Sequence, residues 1–262
     1  MKCLHETDKA EVLSKLRKAG SSNLLLESWL EDFPLDLYSN LHLMGKENYV
    51  LTLPAVATMI SFPDDYELTD EDMIHFFNNS TPNIMGPRNI VHQILEMFPD
   101  RIAADTRLYG MNLFHCEGHD EDVRVLDTDR EMEDLLELYL SVPEFRDSFK
   151  DYTEEEFLSF SREMMESGRI TTGLYMDGKL VSAASFTKMQ LENICTAPSY
   201  RNKGLSRRTI VELLHLIPTQ KDGKRLILFT DNPIAGKLYE SLGFKYLGDY
   251  SMTLADKGET ES

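Results

Sequence analysis

The sequence predicts an α+β fold: a mixed, mostly antiparallel sheet flanked by helices over residues 119–262, preceded by a smaller α/β domain over residues 1–118. Three observations predict it. Two strand-like runs, "ITTGLYM" and "KLVSAASFT", are joined by Asp177-Gly178, the two-residue turn of a β-hairpin, and a third run, "MQLENICTA", follows closely enough to extend an antiparallel sheet. The first half is helix-rich and then strand-like. Between the halves, "LYGMNLFHCEGHDED" falls from an apolar strand pattern into a charged, glycine-containing stretch that reads as a linker. A chain of 262 residues lies near the upper limit of one domain, which favours two.

In the first half, "EVLSKLRKAG" and "NLLLESWLEDF" read as helices, and "YVLTLPAVATMISF" as one or two strands broken at Pro54. "LTDEDMIHFFNN" reads as a capped helix. Thr69 stands at its cap, and Asp70, Glu71 and Asp72 stand in its first turn, where acidic side chains meet the positive end of the helix dipole. "NSTPNIMGPR" reads as a loop and "NIVHQILEMF" as a helix reaching Pro99.

The second half opens with the strand "VRVLD". Asp127 or Thr128 is placed to cap the helix "DREMEDLLELYLSV", and "YTEEEFLSFSREMMESG" forms a second helix ending at Gly168, so two helices follow one strand. After the hairpin and third strand comes a helix from about Leu205 to Ile217, stopped by Pro218. A turn around "KDGK", a strand "RLILFT", a helix "PIAGKLYESLG" and a final pair of short strands within "FKYLGDYSMTL" complete the pattern.

Composition narrows the function. With 27 Lys+Arg against 45 Asp+Glu, the net charge of −18 argues against unguided binding to nucleic acid or an anionic membrane. The amino terminus is charged throughout, so no signal peptide is expected, and no run of about 18 apolar residues reads as a membrane span. Cys3, Cys116 and Cys195 are odd in number and lack C-x-x-C spacing, so neither a disulfide framework nor a metal site is expected. A reducing cytoplasm fits best.

One stretch, "TAPSYRNKGLSRRTIVELL", gathers cations in this acidic chain. Pro198 ends a strand, Arg201, Asn202 and Lys203 form a loop, and Gly204 starts a helix. Free N–H groups at a helix amino terminus make an anion site, and glycine lets a phosphate approach the backbone. Such clusters also occur on solvated loops, so both readings stay open on this stretch alone. A second string, "TDNPIAGKLYESLGF", carries Asn232 before Pro233, apolar Ala235, Leu238 and Leu242 at helical spacing, and Gly243 as a carboxyl-terminal cap before Phe244.

Read together, the two strings resemble the GNAT superfamily of N-acetyltransferases. Its acyl-CoA motif, Arg/Gln-x-x-Gly-x-Gly/Ala, is met by Arg201 and Gly204, with Ser206 a departure in the last place; its second signature is met at Asn232, Ala235, Leu238, Tyr239, Gly243 and Phe244. The resemblance covers a little over half the chain. The first half resembles the degenerate GNAT-like regions of proteins similar to glycine N-acyltransferase, although "IMGPRNIVHQIL" has its glycine and arginine in reversed order and reads as an ordinary loop.

The resemblance implies a GNAT acyl-CoA fold and an acyl-CoA-dependent N-acyltransferase, with acetyl-CoA as donor, no metal, and a small-molecule amine or amino acid as acceptor. A homodimer is left open. It implies a cofactor site of Ile194, Cys195, Thr196, Arg201, Asn202, Lys203, Gly204, Leu205, Ser206 and Asn232, the first three through their backbone, with Arg207 and Arg208 left open as contacts of the outer phosphate of CoA. A leaving thiolate resembles a thiol of pKa about 8.5, so a weak acid can return its proton, and Tyr239 takes that role by carry-over. Helical spacing alone favours Tyr239 as a core or interface aromatic. Glu192 is the candidate base for the amine, although many members carry the acid two residues earlier, where Gln190 stands here. His215 reads as an exposed helix residue, and Cys195 as a buried strand cysteine rather than a nucleophile. The rival reading is a sensor that binds acyl-CoA without turning it over.

Overall fold

The structure, a computed structural model, describes residues 2–19, 24–32, 40–44, 48–53, 57–63, 65–78, 83–98, 100–112, 119–217 and 225–255. In chain order the first half contains β1 (Lys2–Leu4), α1 (Lys9–Ala19), α2 (Leu24–Asp32), β2 (Asn40–Met44), β3 (Asn48–Leu53) and β4 (Ala57–Ser61). There follow α3 (Asp70–Asn78), β5 (Ile84–Pro87), α4 (Arg88–Leu95) and β6 (Arg101–Asn112). The second half contains β7 (Val123–Val125), α5 (Asp129–Ser141), α6 (Pro143–Phe149), α7 (Glu154–Glu166), β8 (Ile170–Met176), β9 (Lys179–Thr187) and β10 (Gln190–Thr196). It ends with α8 (Leu205–Leu216), β11 (Arg225–Thr230), α9 (Pro233–Ser241) and β12 (Lys245–Ala255). No helix among the described residues is long and apolar enough to cross a membrane.

The chain divides into two compact units, one of Met1–Tyr109 with Phe229–Lys237 and Lys245–Ser262, the other of Gly110–Leu228 with Leu238–Phe244. In the first, neighbouring strands run β1-β2-β3-β4-β5-β12-β6. The β4/β5 pair is parallel, while β1 to β4 form an antiparallel meander. Tyr49, Val50 and Leu51 are buried in succession, so both faces of β3 are covered, since successive strand residues point to opposite sides. Val50, Ile60, Ile84, Ile90 and Ile94 share one core cluster, which fastens α4 to the sheet.

In the second unit the order is β11-β10-β9-β8-β7, antiparallel except for β10/β11. The central strand β9 is buried from Leu180 to Phe186. Leu180 packs with Leu135, Leu136 and Tyr139 of α5, whereas Val181 packs with Leu205 of α8, so α5 and α8 lie on opposite faces. The hairpin forms as the sequence predicts, with Asp177 at φ 51° and Gly178 at φ 76°. Thr128 caps α5 in a box with Glu131, and Thr153 caps α7 in a box with Glu156.

Several elements differ from the sequence reading: β1 and β2 are absent from it, and Ile84–Pro87, inside the stretch read as a loop, is strand β5, because β4 and β12 pair with it on its two sides. A further helix, α6, lies between the two expected after β7; it starts at Pro143 and packs the half-buried Phe145 and Phe149 against Tyr139. The final pair of short strands is the single strand β12, eleven residues long, because neighbours β5 and β6 flank it on both sides and hold it extended through Gly248. The strand read as "LYGMNLF" begins earlier, at Arg101, and Leu108 and Tyr109 are buried in it. Pro54, residues 79–82, Cys116, Pro218 and the "KDGK" turn lie outside the described residues.

Candidate active site

The site begins with an irregularity in β10. Its register on β9 shifts between Glu192 and Cys195, a β-bulge in which Asn193 takes φ 51°. On its other side β10 meets β11 in register at one pair, Gln190 with Ile227, and the Ile227 N–H donates to the Met189 carbonyl at 2.9 Å. Beyond Gln190 no ladder joins these two strands among the described residues, so Glu192–Thr196 presents β11 with a strand edge. An open edge of this kind can take an extended ligand by main-chain hydrogen bonds.

From Thr196 the chain makes a 3₁₀ turn, Pro198–Tyr200, and enters α8 through two left-handed residues, Asn202 at φ 62° and Gly204 at φ 75°. Gly204 is the N-cap of α8 and offers no side chain to the first N–H groups, which keeps the positive end of the dipole open to an anion. A side chain at this φ would be strained, although a Cβ there meets no neighbour within 4 Å.

The cations of the loop have different partners. Lys203 places Nζ 4.9 Å from the centre of the Tyr200 ring. Arg201 donates from Nε to the Thr196 carbonyl at 3.2 Å and from Nη1 and Nη2 to both carboxylate oxygens of Glu144 at 3.0 and 2.8 Å. That hydrogen-bonded guanidinium holds the Glu144 carboxyl below the usual carboxylate range. Arg208 is taken up by Asp120 and Asp122, while Arg207 is exposed, with Nη1 3.5 Å from Ser241 Oγ.

Ser206 is an anchor rather than a tolerated departure. Its Oγ lies 2.6 Å from Thr196 Oγ1, which lies 2.9 Å from Ser182 Oγ, and Ser182 donates to the Cys195 carbonyl at 3.0 Å. One consistent direction, from Ser206 to Thr196 to Ser182 to that carbonyl, ties the start of α8 to β9 and to the end of β10. Thr209 Oγ1 lies 3.2 Å from Ser182 Oγ and donates to its own helix. Ser182 and Thr209 are fully buried, so these bonds replace lost water.

Glu192 lies at the start of the bulge. Arg169 Nη2 and Thr187 Oγ1 both donate to its Oε1. Among the described bonds Oε2 takes none. Asn193 and Arg169 also line a small cavity walled by Tyr139, Phe149, Phe160 and Met165. Tyr239 is buried on α9 with its ring edge-on to Phe244, and burial pushes its hydroxyl up to about 12, so it keeps its proton at neutral pH. Asn232 caps α9, its Oδ1 accepting from Ile234 N–H at 2.9 Å. Leu205 packs with Val123, Leu174 and Val181, and Ile194 is partly buried. Burial pushes the Cys195 thiol up to about 12, which makes it a poor nucleophile. His215 is exposed in the last turn of α8.

The motifs point directly to the loop and helix. They do not point to Glu144, Arg169, Ser182 or Thr209. The one signal available for Ser182 and Thr209 is a hydroxyl inside an otherwise apolar pattern, and for Glu144 it is the Pro-Glu pair that opens α6.

Residues 133–252 match the family model for the acetyltransferase (GNAT) domain. Among solved structures, a protein from Drosophila aligns at 12% identity and TM-score 0.67, covering 98% of this chain and 99% of that one. A GCN5-related N-acetyltransferase from Kribbella flavida aligns at 12% identity and TM-score 0.55, covering 94% and 97%. An acetyltransferase of the GNAT family from Colwellia psychrerythraea aligns at 13% identity and TM-score 0.51, covering 96% and 97%. At these identities the likeness is one of fold, and it extends through the amino-terminal half. No curated protein matches the chain in sequence. Both signature strings lie inside the stretch matched by the GNAT model, on a bulged strand, a left-handed loop and a capped helix, so residues 133–252 are similar to a GNAT acetyltransferase domain in sequence and in fold.

Proposed function

We propose that the chain is an acyl-CoA-dependent N-acyltransferase that passes acetyl from acetyl-CoA directly to a primary amine. One observation carries the reading: the strand edge of β10 opens beyond Gln190 and leads, through Asn202 and Gly204, to the uncapped start of α8. An extended arm ending in a pyrophosphate fits that pair of features, one supplying main-chain partners and the other N–H groups and a dipole. Acetyl-CoA supplies the activated acyl group as a thioester.

The chain's own residues divide the remaining work. The backbone of Asn202 to Ser206, with Lys203, cradles the pyrophosphate. Backbone N–H groups within Ile194, Cys195 and Thr196 hold the thioester and stabilise charge as it develops on the carbonyl oxygen. Glu192, steadied by Arg169 and Thr187 through Oε1, takes the proton of the amine at Oε2, directly or through water. Tyr239 returns a proton to the leaving thiolate, and Asn232 sets the start of the helix that carries it. The acceptor is a small amine or an amino acid.

Thiol release tests the reading. Acetyl-CoA mixed with a panel of primary amines should yield free CoA in proportion to one amine or one class of amines. Tight CoA binding with no release on any acceptor would instead favour the sensor, and absence of CoA binding would sink both.

A further inference from the structure

Arg201 occupies the motif position that the family resemblance assigns to the phosphates, yet its side chain is engaged on protein groups. Nε holds the Thr196 carbonyl, and Nη1 and Nη2 hold Glu144 at the start of α6. The Glu144 pair is half-exposed, with side chains 39% and 55% accessible, and such a pair alone adds little stability. Its geometry, however, is bidentate and fixes a direction. The two ends it joins both belong to the site. Thr196 closes the strand edge and also holds Ser206. On the other side, α6 carries Phe145 and Phe149, which stack on Tyr139 at 5.4 and 4.5 Å, and Phe149 walls the cavity that Asn193 and Arg169 line. Asn193 adjoins Glu192 in the bulge.

We propose that Arg201 is a positioning residue rather than a phosphate ligand: with Glu144 it straps the end of β10 to α6, so that the strand edge and the aromatic wall beside Glu192 keep one geometry. The inference rests on the acyl-CoA reading above. Pyrophosphate binding then falls to the backbone of Asn202 to Ser206 and to Lys203, while Arg201 acts on turnover through Thr196 and Glu144.

The test is a double-mutant cycle of Arg201→Gln, Glu144→Gln and both together in the full chain, with Glu144→Asp as the conservative variant. CoA affinity, kcat and melting temperature without ligand are the readouts. Each single variant should leave the CoA dissociation constant within about threefold and lower kcat by about fivefold, the double variant should fall no further, and Glu144→Asp should recover part of the loss. A direct phosphate ligand behaves differently: losing a charge-assisted bond raises the dissociation constant about tenfold or more. Such a rise in Arg201→Gln but not in Glu144→Gln overturns the proposal. So does tighter CoA binding by Glu144→Gln, which would make Glu144 a competitor for Arg201. If the wild-type chain binds no CoA, the acyltransfer reading fails, and the ligand-free melting temperatures still decide the strap: it requires non-additive shifts of about 2 °C, and additive shifts overturn it.

Discussion

Two strand-to-helix passages in this protein contain a glycine and an arginine, and they use them for different purposes. In the first unit β5 passes into α4 with no intervening loop. Gly86 lies within the strand, where an added Cβ would fall inside the Ile60 side chain, and Arg88 bonds Asp105 at 2.8 Å. In the second unit β10 passes into α8 through a loop, and Gly204 is needed for its left-handed φ with open space around it. The first glycine permits packing and the second a turn that leaves helix N–H groups open. A glycine near a helix start therefore signals an anion site only when backbone conformation, rather than crowding, demands it.

Substitutions can break this contrast. The largest effect is expected from Gly86→Ala, which forces the β-branched Ile60 and its backbone apart and should cost about 3 kcal/mol of stability. Thermal unfolding would show it, and a loss under 1 kcal/mol would mean that β4 and β5 have room to spare. Next in size is Tyr239→Phe. Removing a general acid should lower kcat about a hundredfold with little change in stability. Unchanged turnover at saturating substrate would remove Tyr239 from the mechanism.

The same hydroxyl bears on pH. Its folded value near 12 exceeds the usual value near 10, so the fold favours the protonated form, and this contribution to stability is present below pH 10 and fades as pH rises toward 12. Activity should accordingly show no alkaline decline due to Tyr239 below about pH 10. The smallest of the three effects belongs to Gly204→Ala. Left-handed strain should cost roughly 1–2 kcal/mol, and CoA affinity should fall about tenfold because the cradle shifts. Equal CoA affinity in Gly204→Ala and wild type would erase the distinction between the two glycines.

Much of the second unit was legible because its signals are local. Asp177-Gly178 can serve a tight hairpin wherever it occurs, and Thr128 with Glu131 closes a capping box within four residues. The loop and helix around Gly204 were equally readable. What the loop's side chains touch was not. Arg201 meets Glu144 across 57 residues, and Ser182 meets Thr209 across 27, in contacts that exist only once β9, β10, α6 and α8 are packed. Strand β12 eluded the pattern for the same reason: Gly248 and Asp249 favour a turn locally, and pairing on both sides overrides them.

By itself, then, the sequence determined the second unit's fold class, its hairpin, its helix caps and the place of the glycine loop that opens α8, because each follows from backbone preferences of a few adjacent residues. Tertiary structure alone decided that β10 bulges at Asn193 and opens beyond Gln190, that Ser206 joins a buried hydroxyl chain, and that Arg201 faces Glu144. These features depend on which groups lose water together when distant segments meet, and buried polar groups must then find partners wherever packing has placed them.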